Sequence, residues 1–343
     1  MELNHRPGIP PLWHVGGVLD ELTKRRSRLE AIGLAAALVL IVIGARHIAA
    51  GDQDVADLAW FQDATGLQVG PEAAWFSTGL NGDGGTFVII AADPFGREIG
   101  QMLRHPAYRY TRFGYSWLGS VVVLGQDHMI LLGLSLVGLA SVAAMAILAV
   151  GLHGQRGEWA WLLLLNPALY VGFLYDTAEP LALAVLASLL MFGGIWGPAA
   201  LAVIRPSYLV ALAGKWRLLL IGLVVAGGVR IAWAWWFGDS LTDGLWNLGI
   251  PFRGAAEAAS PAALAVAAAG AVTTVIGLMR KDWGWLVSGL LVVSMSAVVY
   301  DTPINAVRAA GMLPVLWAFG PRYRTEREHV SRRSYPEPGV RPA

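Results

Sequence analysis

The sequence predicts an all-helical protein that crosses a lipid bilayer several times. Hydrophobic residues make up 56% of the 343 residues and only 14% are charged, whereas a soluble domain usually has about 25% charged residues. The apolar residues are grouped in long runs, and a helix needs roughly twenty such residues to cross the hydrocarbon core. The chain contains no cysteine, which excludes disulfides, thiolate metal sites and cysteine nucleophiles. The net charge of +1 gives no sign of a nucleic-acid partner.

The amino-terminal segment, residues 1–30, is mostly polar and contains a cluster of basic residues at 24–28. The positive-inside rule therefore predicts that this segment stays in the cytoplasm. The first membrane span follows over about 31–50. The membrane domain as a whole is expected to occupy residues 31–320.

A long polar stretch over residues 51–126 separates the first two predicted spans. It is too long and too polar for a short connection, so we expect it to form a large loop on the extracytoplasmic side. Trp60, Phe61, Trp75 and Phe76 suggest short juxtamembrane helices that lie in the membrane interface.

The remaining apolar runs predict seven further spans, over 128–153, 159–175, 181–196, 218–237, 262–279, 283–299 and 304–319. The run 199–213 is interrupted by Arg205 and Pro206 and ends at Lys215 and Arg217. A re-entrant hairpin would keep these last two cations in the cytoplasm and would explain the proline. The expected topology is about eight spans and one hairpin, with both termini cytoplasmic. The basic tail 321–343 is predicted to be cytoplasmic and disordered.

This topology places many ionisable side chains on the outer side of the membrane. Ionisable residues at membrane depth usually face a cavity or pair with one another, and they are candidates for function. The candidates are Asp83, Asp93, Arg97, His105, Arg109 and Arg112 in the loop, Asp127, Asp176, Glu179, Arg205 and Asp301 at span ends, and Arg308 close behind. Carboxylates mixed with arginines suit a substrate that carries both hydroxyls and a phosphate.

The arginine-rich motif 107–115 provides the most specific candidate for a phosphate site. If residues 106–113 form a helix, His105, Arg109 and Arg112 share one face. Arginine binds phosphate oxygens with two hydrogen bonds and keeps its charge. The alternative is that these arginines, with Tyr108 and Tyr110, only anchor an interfacial helix to lipid headgroups.

The acidic candidates each have a structural alternative. Asp83 lies between glycines, so it either caps a flexible turn or accepts a proton from a substrate hydroxyl. Asp93 precedes a proline, which favours a role in starting a turn or helix. Asp176 and Glu179 could cap the helix that begins near Pro180.

Two arginines in the later spans also admit more than one interpretation. Arg205, beside a proline at membrane depth, requires an acidic partner or a phosphate. Asp301 and Arg308 are seven residues apart and either form an ion pair on one helical face or line the cavity.

Several other classes of protein are not supported. The chain has no P-loop, no GxSxG nucleophile elbow and no HExxH motif. The seven histidines are scattered, so we expect no dedicated metal site and no cofactor, although carboxylates leave a weakly held divalent cation open. The lack of an internal repeat argues against an inverted-repeat transporter.

The order of the motifs Asp83-Gly84-x-x-Phe87, Asp93-Pro94, AYRYTRFGY at 107–115, Asp176-x-x-Glu179-Pro180 and Arg205 resembles bacterial membrane glycosyltransferases of the GT-C type. The resemblance covers roughly residues 30–320. It implies an all-helical GT-C-like fold, whose large first extracytoplasmic loop bears juxtamembrane helices. It also implies a polyprenyl-phosphate sugar donor and an acidic general base in that loop, which would be Asp83 here.

These observations lead to the hypothesis of an inverting glycosyltransferase in the bacterial plasma membrane, acting at the outer face. Asp83 is the expected catalytic base, and the donor phosphate is expected to bind Arg109, Arg112, Arg205 and Arg308. The expected substrate-binding residues are His105, Tyr108, Tyr110, Asp93, Asp176, Glu179 and Asp301. The short chain suggests a small or lipid-linked acceptor. The alternatives are a non-catalytic protein that binds or translocates lipid-linked sugars, and a membrane scaffold.

Overall fold

The computed structural model describes residues 29–44, 83–175, 177–242, 248–300 and 302–320. The amino-terminal segment before Leu29, the expected interfacial helices around Trp60 and Trp75, and the basic tail 321–343 lie outside the described residues. Asp176 and Asp301, two of the predicted substrate-binding residues, lie outside them as well.

The described residues form helices and connecting turns, without a β-strand; one isolated antiparallel bridge joins Leu248 and Met295. The α-helices are α1 Leu29–Gly44, α2 Asp83–Ala92, α3 Pro106–Tyr110, α4 Phe113–Val122, α5 Ile130–Arg156, α6 Pro167–Leu174, α7 Glu179–Phe192, α8 Trp196–Ile204, α9 Trp216–Phe237, α10 Arg253–Ala258, α11 Pro261–Arg280, α12 Trp283–Val293, α13 Ala297–Tyr300, α14 Pro303–Ala309 and α15 Met312–Phe319. Short 3₁₀ helices cover Ile99–Met102, Asp127–Met129, Gly157–Leu163 and Pro206–Leu212. The predicted all-helical class is therefore confirmed.

Three of these helical segments are long and apolar enough to cross a membrane. They are Asp127–Leu163, Trp216–Phe237 and Pro261–Arg280, with mean hydropathies of 2.4, 1.9 and 2.1. Only 11% of the most apolar stretch of Trp216–Phe237 is buried within the protein. An apolar helix with so little protein contact suits a lipid environment, in which apolar side chains are solvated by acyl chains.

Several predicted spans are interrupted rather than continuous. The expected span 159–175 consists of the 3₁₀ helix Gly157–Leu163 and α6, because Asn166 accepts a hydrogen bond from the N–H of Ala168 and Pro167 starts the new helix. The expected span 304–319 is divided between α14 and α15 at Gly311. An added Cβ at Gly311 would lie 2.6 Å from the Tyr208 hydroxyl, so the backbone passes this side chain closely.

Helices α7 and α8 are antiparallel, and α8 ends at Arg205. Gly197, near the start of α8, faces Leu189 near the end of α7, whereas Arg205 contacts Glu179 at the start of α7. The 3₁₀ helix Pro206–Leu212 follows, and Gly214 lies beside Asp282 just before α12. Pro206 cannot continue α8, since it lacks an N–H donor.

The polar segment 93–122 is attached to the carboxyl end of α9. Asp239 accepts a hydrogen bond from the N–H of Ala107 at 2.9 Å, and the Trp236 indole donates to the carbonyl of Phe95 at 2.9 Å. The buried Tyr110 ring packs on Trp233 and Phe237, with centroid distances of 4.9 and 5.0 Å. These contacts fix the arginine-rich motif against the long apolar helix.

The antiparallel pair α11 and α12 depends on close packing at glycine, and we predict that Gly277→Ala destabilises it. An added Cβ at Gly277 would lie 2.8 Å from the Cα of Leu286, closer than packed carbons tolerate. We expect a loss of about 1–3 kcal/mol, typical of overpacking, measured by thermal unfolding of the detergent-solubilised protein.

Gly227→Ala in α9 is the matched control. An added Cβ there meets no described atom within 4 Å, so alanine should leave stability unchanged or raise it by up to about 1 kcal/mol through its helix propensity. Equal unfolding temperatures for the two variants would contradict close packing between α11 and α12.

Candidate functional site

A buried carboxylate lies at the centre of the candidate site. Glu179 is the first residue of α7, and its side chain has no solvent exposure. Its Oε1 atom accepts a hydrogen bond from Arg308 Nε at 3.1 Å and lies 3.2 Å from Arg205 Nη2. The N-cap position of α7 is Ala178, and Glu179 is the acidic residue in the first turn. The expected acidic partner of Arg205 is Glu179.

Arg308 lies in α14, which begins at Pro303. The Thr302 side chain caps this helix by accepting a hydrogen bond from the N–H of Asn305. The predicted pairing of Arg308 with Asp301 stays a prediction, because Asp301 lies outside the described residues. Arg308 reaches Glu179, 129 residues earlier in the chain.

Tyr208 contacts both Arg205 and Arg308, in addition to their contacts with Glu179. Its hydroxyl donates to the backbone carbonyl of Arg308 at 3.1 Å, and the Arg205 guanidinium carbon lies 6.0 Å from its ring centre. Cation–π contacts of this kind contribute on the order of 0.5–1 kcal/mol, and more when they are desolvated. Tyr208 is fully buried, so these groups form a compact polar cluster inside an apolar surrounding.

The arginine-rich motif does not form one helix. Helix α3 ends at Tyr110, and Arg112 precedes α4 with φ −109° and ψ 29°. His105 precedes α3 in the left-handed region, with φ 57°. The predicted common helical face of His105, Arg109 and Arg112 is therefore wrong, because the backbone turns at Thr111 and Arg112. The turn directs Arg112 inward, where it is 6% exposed.

Tyr108 nevertheless brings several guanidinium groups together. The guanidinium carbons of Arg112, Arg230 and Arg109 lie 5.4, 5.9 and 6.0 Å from its ring centre. Gly114, two residues after Arg112, packs closely on Val203 and Ile204, just before Arg205. The motif in the polar segment therefore adjoins the buried cluster around Glu179. Arginines from separate parts of the chain meet in this region, and guanidinium groups suit an anion such as phosphate.

Arg230, Tyr208 and Phe87 belong to this region although the sequence did not mark them as site residues. Arg230 also donates from Nη2 to the carbonyl of Ser240 at 2.7 Å. The position of Arg230 in a long apolar helix could have marked it as a candidate site residue, since charges in such helices are often functional. Tyr208 and Phe87 carried no comparable signal, because buried aromatic residues are common in every core.

Asp83 is the first residue of α2 rather than part of a flexible loop. The structure describes the backbone of Asp83 but not its side chain. Phe87 lies four residues further along α2, and its ring is 5.6 Å from the Arg112 guanidinium carbon. Positions four apart lie on one helical face and are separated by about 6 Å along the axis. The backbone of Asp83 is therefore one helical turn from a residue that contacts Arg112.

Asp93 and Tyr110 stabilise the polar segment. The Asp93 carboxylate accepts hydrogen bonds from the backbone N–H groups of Arg97, Glu98 and Gly100 at 2.8–3.0 Å. Partial burial opposes ionisation, but these hydrogen bonds outweigh it and hold the pKa of Asp93 below its ordinary value of 3.8. The Tyr110 hydroxyl donates to the Asp93 carbonyl, and burial raises the pKa of Tyr110, with a contribution from the nearby Asp93 charge.

Across the described ranges, no group of three or more histidine, aspartate or glutamate side chains is placed to hold a metal ion. The groups gathered at the candidate site are guanidinium groups next to buried aromatic rings, an arrangement that suits an anion.

Comparison with known proteins adds no relative to this picture. No protein-family model matches the chain, and neither the curated proteins nor the solved structures give a significant match. The resemblance to GT-C glycosyltransferases therefore depends on the sequence motifs alone.

We predict that Asp93→Asn destabilises the polar segment in a pH-dependent way. Because the folded pKa of Asp93 is lowered, its ionised form contributes stability above the unfolded value of 3.8, and this contribution is lost as pH falls through the folded pKa. Asparagine should reduce stability at pH 7 by about 1 kcal/mol, as for loss of a side-chain cap. Thermal unfolding at pH 7 and at low pH measures the difference.

Glu98→Gln is the control, since it changes an exposed neighbour whose backbone N–H still bonds Asp93. The variant should unfold like the parent protein. A loss for Asp93→Asn that is equally large at low pH would show that the ionised carboxylate is not responsible.

Proposed function

We propose that the protein is an integral-membrane glycosyltransferase of the GT-C type. It transfers a sugar from a polyprenyl-phosphate donor to a small or lipid-linked acceptor at the outer face of the membrane. The observation that supports this proposal best is the gathering of Arg112, Arg205, Arg230 and Arg308 around Tyr108 and Glu179. The donor phosphate is the anion that a site of this kind, beside apolar helices, would bind.

The arginines suit the chemistry of the leaving group. When the bond between the anomeric carbon and the phosphate oxygen breaks, negative charge develops on the departing phosphate. Guanidinium groups held in place before the reaction stabilise that charge without a cost of reorganisation. Arg112 is only 6% exposed, and an interaction shielded from bulk water in this way is stronger than one in water.

The proposed topology has about eight spans and a re-entrant hairpin with its tip at Arg205. The end of α8 at Arg205-Pro206 supports the hairpin, which would return Lys215 and Arg217 to the cytoplasmic side. The exposed Trp196, at the start of α8, and Trp216, next to Lys215, suit an interfacial aromatic belt on that side. Glu179 and its arginines then face the extracytoplasmic side.

The proposed reaction is a single displacement. The acceptor oxygen attacks the anomeric carbon of the donor sugar while the bond to the phosphate oxygen breaks. The bonding electron pair leaves with the polyprenyl phosphate, and the acceptor proton passes to the Asp83 carboxylate. Attack opposite to the leaving group inverts the anomeric configuration. Asp83 is supported as the base by its motif and by its position on α2, one turn before Phe87, whose ring contacts Arg112.

We predict that Asp83→Asn lowers the rate of sugar transfer by at least about a hundredfold, because general-base catalysis commonly contributes this much. Donor binding should persist, since the arginines are unchanged. The measurement is transfer of labelled sugar from short polyprenyl-phosphate hexoses and pentoses to membrane lipids and small acceptors, by the purified protein in lipid nanodiscs.

Asp127→Asn is the matched control, since Asp127 is an exposed acid at the start of the next helical segment. It should transfer at the parental rate. Undiminished transfer by Asp83→Asn would remove Asp83 from the mechanism. Tight donor binding without transfer by the parent protein would favour a binding or translocating protein.

A further inference from the structure

We propose that Glu179 gives different roles to the two arginines it contacts. It positions Arg205 as a ligand of the donor phosphate, and it fixes Arg308 as a structural anchor. Glu179 itself is a positioning residue that does not touch the substrate. This inference rests on the proposed function, and it departs from the sequence-based expectation that Glu179 binds substrate and that both arginines bind phosphate.

Arg308 is held from two directions. Its Nε donates to Glu179, and its own carbonyl accepts from the Tyr208 hydroxyl. Three residues later the carbonyl of Gly311 accepts from the buried Asn166 amide at 2.7 Å. These bonds join α14 and the start of α15 to α6, α7 and the 3₁₀ helix Pro206–Leu212. Displacing Arg308 towards a substrate would break a connection on which several helices depend.

Arg205 is placed differently. It lies at the end of α8, and its side chain is 16% exposed, compared with 7% for Arg308. Its Nη2 lies 3.2 Å from Glu179 Oε1, and its buried Nε donates to no acceptor among the described residues. A buried N–H without an acceptor is unfavourable and calls for an explanation. A phosphate oxygen is an acceptor of the right charge.

The surroundings of Arg205 supply the other side of such a site. Gly114 packs closely on Val203 and Ile204, the two residues before Arg205. Gly114 follows Arg112 by two residues, and Arg112 shares the Tyr108 ring with Arg230. The end of α8 that carries Arg205 therefore adjoins the arginine-rich motif.

Glu179 makes this arrangement possible by offsetting the repulsion between the two arginines. Arg205 and Arg308 interact unfavourably with each other and favourably with Glu179. A neutral side chain at position 179 would leave two buried cations facing one another, and the less constrained Arg205 would move. The prediction is that Glu179→Gln weakens phosphate binding although Glu179 does not touch the phosphate.

The experiment measures binding of farnesyl phosphate, a short polyprenyl phosphate, to the full chain in nanodiscs, together with the unfolding temperature of each variant. Arg205→Lys should weaken binding by at least about tenfold, because lysine cannot contact Glu179 and donate an Nε–H together, while the unfolding temperature changes little. Arg308→Lys should lower the unfolding temperature and leave the affinity of the folded protein within about twofold. Arg253→Lys, in an exposed pair with Glu257, is the matched control and should change neither quantity.

Glu179→Gln should weaken binding, and Glu179→Asp should restore part of it. Equal losses of affinity for folded Arg205→Lys and Arg308→Lys, or no loss for Arg205→Lys, would overturn the division of roles.

Inorganic phosphate and farnesol serve as competitors. Competition by inorganic phosphate at the same concentration as farnesyl phosphate would overturn the assignment to a lipid phosphate. Because binding is measured without transfer, a failure of the glycosyltransferase proposal is recognised separately in the Asp83→Asn assay.

Discussion

The interaction on which the candidate site depends is the ion pairing of one buried carboxylate with two arginines. Glu179 at the start of α7 contacts Arg205 at the end of α8 and Arg308 in α14. Removing charges from water is costly, so such a cluster persists only where geometry and additional hydrogen bonds compensate. Tyr208 supplies one of these bonds, to the backbone of Arg308. The cluster therefore constrains how α7, α8 and α14 meet.

The second constraint is the attachment of the polar segment to α9. Asp239 and the aromatic residues at the end of α9 hold Ala107 and Tyr110. Because Tyr108 lies between these two residues, its ring is brought to Arg230 on the same helix and to Arg112 in the following turn. A polar segment and an apolar helix are thus combined into one surface, which suits a ligand with a charged head and a hydrocarbon chain.

The residue types alone identified many of the candidate site residues, but they did not reveal how these residues are arranged. Arg205 required an acidic partner or a phosphate, and the structure provides Glu179. The spacing of the arginine-rich motif placed Arg112 on one helical face with His105, and that expectation failed. It failed because spacing arguments assume a continuous helix, whereas the backbone turns at Thr111 and Arg112. Helix boundaries are set by caps and packing, which spacing alone does not reveal.

The sequence by itself determined the helical class, the apolar character of the long segments, the break at Pro206 and the kinds of side chain that could bind a phosphate. These properties are local: they follow from composition, from the length of apolar runs and from the missing N–H of proline. Only the tertiary structure decided that Glu179 joins Arg205 and Arg308, and that Tyr108 meets Arg230. The contacts Glu179–Arg308 and Tyr108–Arg230 join residues more than a hundred positions apart, and all three contacts depend on how the helices pack.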